Sequence, residues 1–169
     1  MARLFIPNNS KDPKKFLFRL RNTEEKTWEE NGRRKVLDLF HRAAEKVPAY
    51  KKFLKEHKIN SSNIKTISDF KNIPTVDKDN YLKEYPLAEL CWDGKFSEKN
   101  FTICTTSGST GEPFYFPHEI DQDWQYAIMA EAYLRTNFEI HKKRTLYINC
   151  FPMGAWIGGV FTYKAISMI

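Results

Sequence analysis

A run of small and hydroxyl-bearing residues between two short apolar stretches is the feature that most constrains this chain. The run is Thr105–Pro113 (TTSGSTGEP), and it follows FTIC and precedes FYFP. The flanking stretches are rich in β-branched and aromatic residues, which predicts two short strands joined by a loop. Within the loop, Gly108 and Gly111 can adopt positive φ and let the backbone approach a ligand closely.

The chemistry of this loop suits a phosphate ligand. Successive backbone N–H groups in such a turn point into one concavity that binds anions. The side-chain hydroxyls of Thr106, Ser107, Ser109 and Thr110 add donors for phosphate oxygens. The sequence therefore predicts a polyphosphate-binding loop over Ser107–Gly111.

The composition of the loop also allows two other interpretations, a flexible linker and a P-loop. A flexible Ser/Gly linker has this composition, but linkers do not sit directly between two apolar strands. A P-loop of the GxxxxGK[ST] type requires a lysine and a following helix. Here Gly108 and Gly111 are too close together, no lysine follows, and a strand comes next. The P-loop interpretation is rejected.

The rest of the chain predicts helices first, then alternating strands and helices, an α/β arrangement. Helical spacing is clearest in the first of these regions, at Val36, Leu37, Phe40, Ala44 and Val47. Pro48 ends that helix and can open another, with His57 as its terminal histidine. Further on, Asp121 is the expected cap of a long helix, and Thr145–Phe151 (TLYINCF) predicts a strand buried on both faces. We expect an arm over 1–33, a helical lead-in over 34–95 and the start of an α/β core over 96–169.

Composition limits the class of protein. The three cysteines are far apart, which argues against a disulfide scaffold and a zinc site. Cys104 and Cys150 lie in apolar runs and are expected to be reduced core residues. No stretch approaches the roughly 20 apolar residues of a membrane span, so a cytoplasmic protein without a membrane partner is the default. The net charge is +6, but the basic residues are interleaved with acidic residues along the chain.

The loop resembles the phosphate-binding loop of the adenylate-forming superfamily, which includes acyl-CoA synthetases, luciferases and peptide-synthetase adenylation domains. The resemblance lies in Ser107–Pro113 (SGSTGEP). Flanking stretches resemble the phenylacetate-CoA ligase branch of that superfamily. They are Val47–Tyr50 (VPAY), Ile73–Lys78 (IPTVDK), Tyr85–Leu87 (YPL) and Phe151–Gly159 (FPMGAWIGG).

The resemblance implies a two-step reaction. A carboxylate attacks the α-phosphate of ATP to give acyl-AMP and pyrophosphate, and then a thiol, often CoA, takes the acyl group. It implies that Thr106, Ser107, Gly108, Ser109, Thr110 and Gly111 hold the phosphates. It also implies that Phe151, Met153, Trp156 and Gly158 lie near the acyl pocket. Plain core packing is the alternative for Phe151 and Trp156.

The chain departs from the family pattern at several positions. Phe114 stands where many members have a lysine, although the phenylacetate-ligase branch often lacks it too. Pro152 and Met153 replace a glycine and an aromatic residue, which leaves the acyl substrate open. The family's magnesium-binding Glu, ribose-binding Asp and catalytic Lys would lie beyond Ile169. We therefore expect an amino-terminal fragment that is inactive by itself.

A second hypothesis belongs to a different class of protein. The Gly/Ser loop would be incidental in a non-catalytic, basic interaction module or a nucleic-acid-binding module. A basic stripe with exposed aromatic residues on one face would favour that hypothesis. Burial of the Cys104 and Cys150 strands side by side, with Ser107–Gly111 at their ends, would favour the ligase.

Overall fold

The fold is known from a computed structural model that describes residues 12–97, 100–106, 113–151, 153–154 and 156–169. These residues form two units, one made of residues 23–97 and the other of residues 12–22 together with residues 100–169. The helices are α1 (Pro13–Asn22), α2 (Glu25–Lys46), α3 (Pro48–Glu56), α4 (Ile120–Phe138) and α5 (Ile157–Ser167), and the strands are β1 (Thr102–Thr105) and β2 (Tyr115–His118).

Helices α2 and α3 build the core of the unit formed by residues 23–97. The predicted helical spacing of α2 is confirmed at Phe40 and Ala44, which are buried against Leu54 of α3, whereas Val36 is exposed. Pro48 occupies the first turn of α3 as expected, because its fixed φ suits a helix start and its missing N–H costs no hydrogen bond there. His57 follows the last turn of α3, and its Nδ1 lies 2.8 Å from the Phe53 carbonyl oxygen.

Short turns complete this unit after α3. A 3₁₀ turn lies at Ile67–Asn72, and a π turn lies at Lys78–Leu82. Asp77 begins the second of these turns, where its Oδ1 accepts from two backbone N–H groups at 2.8 Å. The turn buries Tyr81 against Ala49 and Phe53.

The other unit is a β-hairpin packed with helices. Strands β1 and β2 pair antiparallel, with Thr102 opposite His118 and Thr105 opposite Tyr115. Helix α4 packs against α1 and α5, and α5 also contacts β1. The mixture of helix and strand agrees with the predicted class, whereas the particular α/β fold stays a prediction.

The predicted strand over Thr145–Phe151 is wrong. These residues are not in a strand, and no described residue pairs with them in a ladder. Leu146 is 83% exposed and Ile148 is 72% exposed. They line an apolar groove of about 870 Å³ with residues of α4 and α5. An apolar run of this kind has residue types that suit a strand, but a strand also requires a partner for its backbone N–H and C=O groups.

The start of α4 differs from the sequence prediction by two residues. Glu119 precedes the helix, and its backbone N–H donates to Gln122 Oε1 at 2.8 Å. Asp121 lies in the first turn instead of at the cap, where its charge still favours the helix dipole. Within the described ranges, no helix has both the length and the apolar character needed to span a membrane.

The divisions that the sequence predicts at 33/34 and 95/96 stay predictions, and the chain passes from one unit to the other at 22/23 and at 99/100. Helix α2 runs through the first of the predicted boundaries. The assignment of residues 34–169 to an incomplete adenylation domain stays a prediction.

Candidate functional site

The hairpin fixes both ends of the predicted phosphate-binding loop. The Thr106 N–H donates to the Phe114 carbonyl at 3.0 Å, and the Phe114 N–H donates to Thr106 Oγ1 at 3.0 Å. These bonds continue the pairing of β1 with β2 by one residue. Ser107, Gly108, Ser109, Thr110 and Gly111 lie outside the described residues, so their placement stays a prediction.

Thr106 is the one predicted phosphate-binding residue that the structure describes. Its Oγ1 accepts a hydrogen bond from the Phe114 N–H, and a hydroxyl that accepts can still donate its own hydrogen. In the part of the chain that the structure describes, no acceptor takes that hydrogen. The Thr106 hydroxyl therefore suits a phosphate oxygen.

The predicted acyl-pocket residues lie in and beside one tight turn. A methyl group placed on Gly158 would meet the Phe151 ring at 3.4 Å, and one placed on Gly154 would meet Trp156 Nε1 at 2.6 Å. Each glycine thus lets an aromatic ring approach the backbone. The Asn149 side-chain amide donates to Met153 Sδ at 2.9 Å, and the assignment of these residues to an acyl pocket stays a prediction.

None of the three large side chains in this turn is buried. Phe151, Met153 and Trp156 are all more than 40% exposed. Core packing, the alternative interpretation of Phe151 and Trp156, does not describe them here. Cys150 is exposed as well, so its prediction as a core residue is wrong, whereas Cys104 is buried as predicted. The expected side-by-side burial of the two cysteine strands is therefore not found.

The end of β1 lies next to this aromatic turn. Thr105 forms an isolated parallel bridge with Trp156 on the edge of β1 that β2 does not occupy. Thr105 is also the residue before the first predicted phosphate ligand, Thr106. Two stretches that are far apart in the sequence therefore meet at one point of the fold.

A second cluster, here called the buried network, lies behind the hairpin and joins four elements. Its members are Thr102 and Cys104 of β1, His118 of β2, Asp123 of α4 and Lys164 of α5. Cys104 Sγ lies 3.0 Å from His118 Nε2, and His118 Nδ1 lies 3.0 Å from Asp123 Oδ1. Lys164 Nζ donates to Asp123 Oδ2 at 2.7 Å and also to Thr102 Oγ1.

Burial decides the protonation states within the buried network. Burial lowers the pKa of His118 below its ordinary value; nearby Asp123 opposes this effect and Lys164 adds to it. Burial also raises the pKa of the Cys104 thiol, helped by Asp123 and opposed by Lys164. Near pH 7 the imidazole and the thiol are therefore neutral. The buried network resembles a thiol–imidazole–carboxylate triad in its connectivity, but Cys104 is 0% exposed and no substrate can reach it.

Sequence reasoning identified only Cys104 of this network, and only as a core residue. His118, Asp123 and Lys164 form no motif, because they come from separate elements and meet only through the fold. One signal was available: Asp123 precedes Trp124 and Ala127 on the apolar side of the predicted helix, where an acidic residue needs a partner.

No metal site can be assigned in the described ranges, where no group of three or more His, Cys, Asp or Glu residues is arranged to hold an ion. Within these residues no ligand is assigned to magnesium. No model of a known protein family matches the chain, and no curated protein matches it.

Proposed function

We propose that this chain belongs to an enzyme that activates a carboxylic acid with ATP as an acyl adenylate and passes the acyl group to CoA or another thiol. The observation that carries the proposal is the bridge between Thr105 and Trp156. It supports a shared site because it brings the entry of the predicted phosphate loop to the predicted acyl pocket.

The reaction requires this proximity. A carboxylate oxygen forms a bond to the α-phosphorus of ATP as the bond to the β-phosphate bridging oxygen breaks, and pyrophosphate leaves. The phosphates and the acid must therefore be held within bonding reach of each other. The bridge between Thr105 and Trp156 places the end of β1, where the loop begins, beside the turn in which the acid would bind.

The roles of the chain's own residues follow from their chemistry. Thr106 and the hydroxyls of Ser107, Ser109 and Thr110 would donate to phosphate oxygens and stabilise the charge on the leaving pyrophosphate. The exposed rings of Phe151 and Trp156 would provide an apolar wall for the acyl group. Magnesium, where bound, would neutralise phosphate charge. In the second step the thiolate sulfur attacks the acyl carbonyl and AMP leaves.

The test is acid-dependent exchange of pyrophosphate into ATP, measured on the natural full-length protein with a panel of aryl and fatty acids. In the Thr110→Val protein, the β-branched shape is kept and one hydroxyl donor is lost. A hydrogen bond to a charged group contributes about 1.5–3 kcal/mol, so adenylation should slow roughly 10- to 100-fold. The thioester-forming step, started from supplied acyl-AMP, should keep nearly its full rate because it involves no pyrophosphate.

The matched control is Thr136→Val, which makes the same change at an exposed position on α4. This variant should exchange pyrophosphate at the wild-type rate. If Thr110→Val slowed both steps equally, or neither step, the role given to the loop would be wrong. If no acid supported exchange, the proposed reaction would be wrong.

A further inference from the structure

The apolar groove of the unit that contains the hairpin lies between α4, α5 and the residues that link these helices. Its volume is about 870 Å³, and none of the described residues that line it carries a charged side chain. On α4 the wall contains Tyr126, Met129 and Tyr133, each more than 40% exposed. Because these three recur at helical spacing, they form one exposed apolar stripe along the helix.

The other wall of the groove comes from the linking residues and has an unpaired backbone. Leu146 and Ile148 line it and are both more than 70% exposed. In the described part of the chain, no backbone group of residues 146–150 forms a hydrogen bond. A segment of strand-forming residues with free N–H and C=O groups is able to pair with a strand from outside the chain.

The two walls together define the chemistry of an occupant. It has to present apolar side chains to α4 and α5, and backbone donors and acceptors to residues 146–150. An extended polypeptide supplies both. A purely apolar small molecule would cover the backbone groups of residues 146–150 without pairing them, which costs free energy. Residues 146–150 themselves have the composition that this occupant requires, since Leu146 and Ile148 alternate along them.

We propose that two copies of this chain associate through the groove, and that residues 146–150 of each copy pair as an antiparallel strand with residues 146–150 of the other. The two-fold axis passes through the Ile148 pair, so that Leu146 lies opposite the partner's Cys150. Each strand thereby lies in the groove of the other copy, between the two sets of helices. The interface uses the same surface of both copies.

Charge favours the antiparallel direction. Lys143 and Arg144 lie shortly before the paired residues in the sequence. A parallel pair would bring these basic residues of the two copies side by side, and like charges that face each other across strands are destabilising. In the antiparallel pair they lie at opposite ends of the interface.

The apolar surface available is large enough for a stable dimer. Six of the lining residues are between 45% and 83% exposed: Met129, Tyr133, Phe138, Leu146, Tyr147 and Ile148. With roughly 200 Å² for a whole side chain of this size, they expose on the order of 700 Å² in each copy. A stable interface buries about 800 Å² per partner. The other lining residues and the paired backbone supply the difference.

The dimer is independent of the proposed reaction. None of Phe151, Met153, Trp156 and Gly158 lines the groove, so association leaves the predicted acyl pocket outside the paired residues. A chain that dimerises without activating an acid would leave this inference standing, and an active chain that stays monomeric would leave the proposed function standing.

Sedimentation equilibrium of the 169-residue chain tests the association. A reversible equilibrium between monomer and dimer is expected, with a Kd of about 10 μM or below for an interface of this size. Ile148→Lys would place two ammonium groups together at the axis, and the Kd should rise at least about 100-fold. Ile120→Lys makes the same change at a position that is 57% exposed and does not line the groove. This control should leave the Kd within about twofold of wild type.

Both isoleucines are exposed in the single chain, so both lysine variants should fold, and circular dichroism checks that they do. A wild-type chain that stays monomeric at about 100 μM would overturn the proposal, and the groove would then take a different occupant. Equal weakening of the dimer by Ile148→Lys and Ile120→Lys would overturn it as well, because the effect would then not belong to the groove.

Hydrogen exchange followed by nuclear magnetic resonance tests the strand pairing itself. In the wild-type dimer, alternate amides within residues 146–150 should exchange at least about tenfold more slowly than in the Ile148→Lys monomer, because a paired strand protects every second N–H. A dimer in which all these amides exchange as fast as in that monomer would associate elsewhere, and the proposed pairing would be wrong.

Discussion

Asp123 is the residue on which the charges of the buried network depend. It is 1% exposed, and its two carboxylate oxygens face Lys164 and His118. Removing one partner of a buried ion pair leaves the other charge without compensation. We therefore expect Asp123→Asn to lower the free energy of unfolding by about 3 kcal/mol, measured by urea denaturation.

The control for that substitution is available on the same helix. Asp121 lies in the exposed part of the first turn of α4, where Asp121→Asn removes only a favourable interaction with the helix dipole. Asp121→Asn should therefore lower the free energy of unfolding by about 0.5 kcal/mol. If both variants lowered the free energy of unfolding equally, the contacts of Asp123 would contribute no stability beyond that of an acidic residue in the first turn of the helix.

His118 and Cys104 together predict a maximum of stability between mildly acidic and mildly alkaline pH. The pKa of His118 is lowered in the folded state, so the unfolded chain binds more protons as pH falls below about 6.5, and stability is lost there. The pKa of the Cys104 thiol is raised, so the folded state retains a proton that the unfolded state loses above about pH 8.5, and stability is lost there too. Asp123 and Lys164 are the charged groups that face both side chains.

Urea unfolding followed by the fluorescence of Trp124 and Trp156 measures this profile. The comparison proteins carry His118→Gln, which should remove the loss on the acid side, and Cys104→Ala, which should remove the loss on the alkaline side. Trp28 and Trp92 are replaced by Phe throughout, so that the signal reports only the unit that contains the hairpin. If the loss of stability at acidic pH persisted unchanged in His118→Gln, groups other than His118 would be its cause.

At the scale of elements, we expect substitution by alanine to have opposite effects on stability at two glycines. Gly32 lies inside α2 with open space where a side chain would begin, whereas Gly94 has a φ of +67°. Gly32→Ala should raise the free energy of unfolding by about 0.8 kcal/mol, because alanine is the better helix former. Gly94→Ala should lower it by about 1 kcal/mol, since a left-handed backbone strains any residue with a Cβ. Thermal unfolding of both variants checks the signs.

Elements with a local signal were predictable from the sequence, and those that depend on distant partners were not. The spacing of Phe40 and Ala44 and the position of Pro48 are local, so α2 and α3 were found. The run Thr145–Phe151 has the composition of a buried strand, yet composition does not reveal whether another strand pairs with it. The buried network was missed for the same reason, because His118, Asp123 and Lys164 become neighbours only in the folded chain.

At the scale of the whole molecule, the proposed chemistry would depend on two stretches that the fold brings together, the end of β1 and the turn that contains Trp156. The loop's ends at Thr106 and Phe114 follow from the hairpin, which the sequence predicted from residue types alone. The bridge from Thr105 to Trp156 was not predictable, because nothing in the spacing of these residues specifies an edge pairing. The expectation that both stretches take part in one reaction comes from the resemblance to the adenylate-forming superfamily.

The most direct test of that expectation is a titration of the chain with ATP, followed by nuclear magnetic resonance. We expect saturable shifts at the Thr106 amide and at the Trp156 indole N–H with one common dissociation constant. We also expect that a single-stranded oligonucleotide does not compete with ATP. Shifts confined to other surfaces, or displacement of ATP by the oligonucleotide, would contradict the proposed site and favour the basic interaction module.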